Sequence, residues 1–297
     1  MGERAFVLSA GLGTRLRPYS LKVPKPLFRI LGKPLLELLF DQLKAAGFKK
    51  IGLNLHHLPD KIEALVASYA AKHPELRFYL FREEELRGPV GAFYGAASFF
   101  KEEPVLVINA DILTNFPLKT LLQAHRRLGG AATLLLHHHP QYRNVIVNGD
   151  EVQGFQPGQG LAFTGLQVVT PELVAQLTPG DRDLVPAYTR LMRKGLSITA
   201  LVAAGFYWRD VGTLSSYLLA HEELLKRRAV VPGLPSPERP QVIKGAELGP
   251  GVILEDWVFL EPGVRVAPKT KLKRVVAWAG AHIPQGTHVD TLFIPGC

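Results

Sequence analysis

The 297-residue chain contains a single cysteine, Cys297, so no internal disulfide can form and a reducing cytoplasm is the expected setting. No apolar stretch comes near the roughly 20 residues that a membrane-spanning helix needs, so no membrane partner is expected. The first residues run almost directly into a strand pattern and lack the charged-then-apolar layout of a signal peptide. Met1-Gly2 opens like a myristoylation signal, but Phe6 stands where that signal needs Ser or Thr. No Lys/Arg stripe interleaved with aromatics is present, which argues against nucleic acid. What is there is a globular balance: 47% hydrophobic and 21% charged residues, enough for one large domain and a small one. The net charge of +9 leaves two readings open, a solvated basic surface or attraction for phosphorylated substrates.

Up to about residue 136, strand and helix patterns alternate. Apolar runs predict strands at Ala5–Leu8, Ile51–Leu55, Phe78–Phe81, Val105–Asn109 and Thr133–Leu136. Helical periodicity predicts helices at Leu35–Ala46, Asp60–Ala71, Gly91–Phe100 and Leu118–Leu128. Alternating βα units imply an α/β, Rossmann-like, mostly parallel sheet with helices on both faces, whose ligands bind beyond the C-terminal strand ends. Further on, Val145–Val147 and Val152–Phe155 flank a hairpin-like turn at Asn148-Gly149-Asp150. Gly165–Val169 reads as a strand, and Pro171–Leu177, Leu184–Lys194 and Ser215–Lys226 as helices. Arg227–Pro240, with Pro232, Pro235, Pro237 and Pro240, reads as a semi-rigid linker. Beyond it, Val252, Val258, Val264, Thr270 and Val276 fall six apart, as do Leu248, Leu254, Leu260, Val266 and Leu272. With glycine-rich corners between them, such hexads suggest a short β-helix, the alternative being a small antiparallel β cap. The expected division is 1–228, a linker at 229–241 and a tail at 242–297.

The first predicted strand leads into Leu8-Ser9-Ala10-Gly11-Leu12-Gly13-Thr14-Arg15-Leu16-Arg17-Pro18, closed by Val23-Pro24-Lys25-Pro26-Leu27. Glycines let bare backbone N–H groups approach an anion. Arg15, Arg17, Lys22 and Lys25 bring cations near the loop, and Pro24 and Pro26 stiffen the backbone around Lys25. Glycine backbone plus fixed cations suits a triphosphate. The dinucleotide fingerprint is excluded by Leu16, where its third glycine would stand, and the P-loop pattern is absent. Alone, Gly11-x-Gly13 is also compatible with an ordinary tight turn. Asp111 follows the strand ending at Asn109 and is read either as a Mg²⁺ ligand or as a turn or cap aspartate. Asp210, in Tyr207-Trp208-Arg209-Asp210-Val211-Gly212-Thr213, is a second carboxylate candidate, its alternative being the N-cap of the next helix, which Thr213 or Ser215 could equally supply.

The whole run G-x-G-T-R-L-x-P followed by P-K-P-L resembles the signature of the sugar-1-phosphate nucleotidyltransferases. The resemblance covers about residues 4–226 and extends into the hexad tail, which it implies is a left-handed β-helix. It implies Gly11, Gly13 and Thr14 around the phosphates, Arg15 and Lys25 as catalytic cations, and Asp111 and Asp210 as ligands of Mg²⁺. Glu85-Leu86-Arg87-Gly88-Pro89-Val90-Gly91 is similar to the nucleotide-base loop, with Gly88 and Gly91 reading the base and Pro89 where the family often has Thr. A plain loop-to-helix start is the alternative there. Phe163-Thr164-Gly165-Leu166 is similar to the sugar-binding segment, with Gly165 at the sugar. The family's F-x-E-K-P lysine is missing from Gly154-Phe155-Gln156-Pro157, and Asn144 or Arg143 is a candidate substitute. That gap, and Asn54-Leu55-His56-His57, resemble the branch acting on muramic acid or heptose phosphates. His137-His138-His139 reads as a strand end rather than a metal site, and His125 as a surface or packing residue.

The expected activity is therefore transfer of a nucleotidyl group from a nucleoside triphosphate to a sugar 1-phosphate, with GTP and mannose 1-phosphate favoured. Uridylyl or thymidylyl transfer to glucose, N-acetylmuramate or heptose 1-phosphate stays open, as does a non-catalytic sugar-nucleotide-binding subunit. An acyltransferase working through the tail is the remaining rival, with only His282 and His288 as candidate bases. A homo-oligomer assembled through the tail is expected.

Overall fold

The computed structural model describes residues 3–243 and 245–296, so the readings at Met1-Gly2 and Cys297 lie outside the described residues. In chain order, β1 (Arg4–Leu8) leads through 3-10 turns at Thr14–Leu16, Tyr19–Leu21 and Lys25–Leu27 to the short pair β2 (Arg29–Ile30) and β3 (Lys33–Pro34). Next come α1 (Leu35–Ala45), β4 (Lys50–Leu55), α2 (Pro59–Lys72), β5 (Arg77–Arg82), α3 (Gly88–Gly95), β6 (Val105–Asn109), β7 (Ile112–Thr114), α4 (Leu118–Leu128) and β8 (Ala132–His137). They are followed by β9 (Val145–Asn148), β10 (Glu151–Phe155), β11 (Ala162–Val169), α5 (Pro171–Ala175), α6 (Leu184–Arg193), β12 (Ile198–Val202), β13 (Trp208–Asp210) and α7 (Leu214–Leu225). The chain closes with β14 (Gln241–Ile243), β15 (Glu247–Leu248), β16 (Ile253–Leu260), β17 (Arg265–Val266), β18 (Lys271–Ala277), β19 (His282–Ile283) and β20 (Thr287–Phe293). Among the described residues no helix is long and apolar enough to cross a membrane.

The chain divides into two compact units. The first takes β1, Leu39–Ile112 and Phe116–Trp208; the second takes Gly13–Leu38, Leu113–Asn115 and the chain from Arg209 on.

The first unit is built on a nine-stranded sheet, ordered β5-β4-β1-β6-β11-β8-β12-β10-β9. Strands β5, β4, β1 and β6 are mutually parallel, as are β8 and β12. Strands β11 and β10 oppose their neighbours, which makes the sheet mixed but mostly of one direction. Ala5, Phe6 and Val7 of β1 are fully buried, as a strand covered on both faces requires. Phe6 sits among Phe93, Phe99 and Phe100 in the centre of the core.

The helix expected over Gly91–Phe100 is different in detail. It starts at Gly88 because Pro89 presets the first helical turn, and it ends at Gly95, after which a 3-10 turn over Ala97–Phe100 sends Phe99 and Phe100 into the core. The Asn148-Gly149-Asp150 hairpin is present, with Asn148 opposite Glu151 and Gly149 at φ 57°. Strand β12 had no clear alternation in the sequence. It is held by polar as well as apolar contacts: Thr199 Oγ1 meets Thr133 Oγ1 at 2.7 Å, and Thr133 Oγ1 meets His125 Nδ1 at 2.8 Å. His125 is thus a buried packing residue.

In the second unit, β14, β16, β18 and β20 form one parallel sheet and β15, β17 and β19 another, so successive strands alternate between two sheets. Parallel pairing rules out the antiparallel cap. Val258, Leu260, Val264, Val266, Leu272 and Ile283 fill the space inside this coil. The hexad spacing predicts a step of eighteen residues, and Ile253 does pair with Lys271 and Glu247 with Arg265. After a register shift past Glu255 the step becomes seventeen, Val258 to Val275, and it is sixteen from Lys271 to Thr287. The proline-rich segment before the coil is held down: Val231 is buried, and Gly233 O accepts from Lys33 Nζ at 3.4 Å.

Candidate active site

In the first unit, the start of the glycine loop is fixed by side chains beyond β1. Ser9 N donates to Asn54 Oδ1 at 2.8 Å, and Ser9 Oγ donates to Asn54 O at 2.5 Å. Asn54 Nδ2 in turn donates to Glu83 Oε1 at 2.8 Å, and Glu83 Oε2 accepts from Arg87 N at 3.2 Å. One asparagine and one glutamate thus link the end of β1 to the start of α3. Gly11, next along the loop, has open space where a Cβ would stand, as a backbone meant to approach a ligand requires.

Gly88 lies at φ 76°, and a Cβ there would meet the Arg182 carbonyl oxygen at 2.5 Å. At Gly91 a Cβ would meet Arg87 Cβ at 2.3 Å. Both glycines are therefore demanded by packing inside the unit, whatever else they do. Gly91 also lines, with Phe81, Glu83 and Arg87, a cavity of about 340 Å³.

Strand β11 runs antiparallel between β6 and β8, and it brings Gly165 against Asn109. Gly165 is at φ 80°, and a Cβ would fall 2.8 Å from Asn109 Nδ2. Asp111, two residues on, is half-buried in the turn between β6 and β7. Trp208 Nε1 donates to Thr164 O at 2.8 Å, tying the segment before Asp210 to the Gly165 segment. The Trp208 ring lies against His137 (4.9 Å), His139 (5.6 Å) and Tyr142 (5.8 Å). His137 is the buried end of β8. Burial, aided by the charges of His139 and His138, holds its pKa down at about 4, so it is neutral near pH 7. Asn144 is half-buried, and its backbone closes the excursion after β8 by donating to Leu161 O at 3.0 Å and accepting from Gln156 N at 2.9 Å.

The charged constellation lies in the second unit. Gly13 is at φ 62°, and a Cβ on it would stand 3.2 Å from Ser20 Cβ and 3.4 Å from Lys25 Cβ, so the glycine backbone runs directly beside the lysine. Thr14 and Arg15 follow in the first 3-10 turn. Lys25 opens the third such turn and is only 9% exposed. Its Nζ is 3.6 Å from Asp210 Oδ1, while Arg15 Nη2, on a largely exposed side chain, is 3.7 Å from Asp210 Oδ2. These separations balance charge without a close hydrogen bond. A buried ammonium requires such a counter-charge. Asp210 is not the cap of α7: it lies in β13, and Thr213 supplies the cap by accepting from Ser216 N at 3.1 Å.

Gly212, whose part the sequence did not disclose, makes the cluster possible. A Cβ there would come within 2.6 Å of both Arg15 Nη2 and Asp210 Oδ1. The motif Trp208-x-Asp210-Val211-Gly212-Thr213 was its only signal. Asn54 and Glu83 were likewise missed as anchors, because polar residues at strand ends look alike until their partners are known. The structure thus brings Gly13, Arg15, Lys25 and Asp210 together in one unit, and Asn109 and Gly165 together in the other.

The nucleotidyl transferase family profile matches residues 4–153, just over half of the chain. The chain belongs to the sugar-1-phosphate nucleotidyltransferases. This nucleotidyltransferase is 27% identical over 302 residues to a mannose-1-phosphate guanylyltransferase of Mycobacterium tuberculosis, an alignment covering 96% of this chain and 82% of that one. It is 30% identical over 301 residues to a UTP–glucose-1-phosphate uridylyltransferase of Synechocystis, covering 91% of this chain and 76% of that one. Among solved structures, a UDP-glucose pyrophosphorylase from Acinetobacter baumannii superposes with a TM-score of 0.65 at 20% identity, over 79% of this chain and 96% of that one, which bears out the α/β Rossmann-like fold. The nucleotidyltransferase makes a nucleoside-diphosphate sugar from a nucleoside triphosphate and a sugar 1-phosphate.

Proposed function

We propose that the chain transfers a guanylyl group from GTP to mannose 1-phosphate, using Lys25 and Arg15 as catalytic cations. A sugar-phosphate oxygen attacks the α-phosphorus, a new P–O bond forms, and the bond to the departing pyrophosphate breaks. The substrate brings its own anionic nucleophile, so no covalent enzyme intermediate is needed, and the protein's part is alignment and charge neutralisation. Backbone N–H groups at Gly11, Gly13 and Thr14 cradle the phosphates. Arg15 holds the departing β/γ end, and Lys25 faces the charge that builds at the α-phosphate. The single observation supporting this is the buried Lys25 ammonium, fixed in a 3-10 turn beside Gly13 and 3.6 Å from Asp210.

Mg²⁺ suits the residues assigned to it. Asp111 and Asp210 offer hard carboxylate oxygens, both half-buried. Among the described residues no group of three or more His, Cys, Asp and Glu is arranged to hold a metal, and Mg²⁺ needs none, since it takes one or two carboxylates and completes its shell with substrate phosphates and water. When bound, it would neutralise phosphate charge and orient the reacting group. Gly88 and Gly91 are assigned to the base, and Gly165 and Asn144 to the sugar phosphate. Residues 1–228 carry the chemistry, 229–241 link, and 242–297 wind as a left-handed β-helix whose edge strand β20 is open to a second copy. The reaction is assigned to the cytoplasm, where a lone cysteine stays reduced.

Guanylyl transfer to mannose is favoured by the Mycobacterium relative, whose alignment covers more of this chain; uridylyl transfer to glucose is favoured by the slightly higher identity of the Synechocystis relative. A panel of four nucleoside triphosphates against mannose, glucose, N-acetylmuramate and heptose 1-phosphates, scored by pyrophosphate release, decides between them. Highest kcat/KM for a pair other than GTP and mannose 1-phosphate overturns the substrate assignment. Binding without turnover for every pair overturns the assignment of catalytic roles.

A further inference from the structure

The residues just after Lys25 are gripped at four points, and none of the gripping groups has a part in the transfer itself. The lysine turn ends where Phe28 N donates to Lys25 O at 3.0 Å. The Phe28 ring is fully buried, edge-on to Tyr217 (5.8 Å) and to Trp278 (5.3 Å). Tyr217 Oη donates to Arg29 O at 2.7 Å and accepts from Trp278 Nε1 at 2.9 Å. The Arg29 guanidinium is paired with Glu261, a buried carboxylate that also accepts from Ala279 N at 3.1 Å. Leu31 N donates to His221 Nε2 at 3.3 Å, which fixes the ring as the Nδ1–H tautomer, since Nδ1 faces the Tyr217 carbonyl at 3.0 Å.

Tyr217 and His221 stand one turn apart on α7, the helix that begins just after Asp210. Trp278 and Glu261 stand at corners of the coil, directly after β18 and β16. One side of the grip therefore comes from the element that follows the carboxylate, and the other comes from the tail. A buried, hydrogen-bonded aromatic stack holds a backbone far more tightly than surface contacts do.

We propose that Trp278 and Glu261 are positioning residues for the nucleotidyl transfer: through Tyr217, Phe28 and Arg29 they set where the Lys25 ammonium stands relative to Asp210. This rests on the role given to Lys25 above. The coil is thereby part of the apparatus that places the lysine, in addition to any part in assembly.

The test uses full-length Trp278→Phe, which keeps a ring and loses the N–H, and Glu261→Gln, which loses the charge and keeps an acceptor for Ala279 N. Each is expected to lower kcat for pyrophosphate release about tenfold, since a misplacement of about an ångström costs about 10²-fold and the remaining grips limit the shift to a fraction of that. KM for the nucleotide should stay within about twofold, with melting temperature and native mass close to those of the parent. Introduced into Lys25→Arg, the same changes should cost little more, because both act through one group. Asp290→Asn, which breaks an exposed pair with Arg274 on the same coil, should leave kcat unchanged. If Trp278→Phe does not fold, Tyr217→Phe replaces it. Coil variants with parental kcat, or losses that multiply fully with Lys25→Arg, overturn the inference. Turnover retained by Lys25→Ala overturns the role of Lys25 on which it rests, whereas an inert Lys25→Ala beside fully active coil variants overturns the inference alone.

Discussion

The two units use their residues in opposite ways. In the sheet unit, the sequence-assigned positions are mostly glycines, and close packing demands three of them, Gly88 against Arg182 O, Gly91 against Arg87 Cβ and Gly165 against Asn109, while Gly11 faces open space. In the other unit, beside Gly13 and Thr14, the assigned positions are charges: Arg15 and Lys25 are held at 3.7 and 3.6 Å from the Asp210 carboxylate. The glycine loop itself is shared, with Gly11 in the first unit and Gly13 in the second. The contrast teaches that, Asp111 aside, shape and charge are supplied by separate parts of the chain. Changes in the first should register as stability and substrate fit, and changes in the second as rate.

The largest expected effect breaks the charged side. Lys25→Ala should lower kcat by about 10²-fold or more, measured by pyrophosphate release, as removal of one preorganised cation does elsewhere. Near-normal turnover would take the lysine out of the chemistry. Next, Gly212→Ala pushes a methyl between Arg15 and Asp210 and should cost about tenfold in kcat, with a smaller change in melting temperature. On the glycine side, Gly88→Ala puts a Cβ at positive φ against a carbonyl oxygen and should destabilise the fold by about 1–3 kcal/mol in denaturant unfolding. If Gly88→Ala instead left stability intact and abolished turnover, the division of labour drawn here would collapse.

A separate effect, on neither side of that comparison, is on acid stability. Burial holds His221 at about 4, below the ordinary 6.5, and His137 likewise. Between these values the unfolded chain takes up protons that the folded chain does not. The stability these rings allow is complete above about pH 6.5 and is lost as pH falls toward 4. Melting temperature should drop over that window, and less steeply in His221→Asn. Identical pH profiles would mean that His221 does not titrate there.

Much of this was legible in the chain. The strands at Ala5–Leu8 and Val105–Asn109 were, because buried parallel strands are continuous apolar runs. The Gly13, Arg15 and Lys25 cluster was also legible, because it is local in sequence. The partner Asp210 was reached through the family pattern, since nothing near it in the chain points to Lys25. The direction of β11 was not legible: apolar alternation gives a strand but no orientation. The coil's hexads were visible, yet the shortening from eighteen to sixteen residues per step was not, because a slipped register leaves the apolar composition unchanged. Nor were the four anchors on Phe28, Arg29 and Leu31, which come from residues about 190 to 250 positions away.

The excursion between β8 and β11 starts at His137 and returns at Ala162, and these two residues are direct partners across the ladder. A detour whose two ends are already clasped is a cassette. Only its exposed first residues, Tyr142 and Arg143 among them, can be exchanged freely, because β9 and β10 extend the sheet through β12 and Val145, Val152 and Leu161 lie in the core. The register of this end of the sheet is thus insulated from whatever the exposed turn beside Asn144 comes to carry.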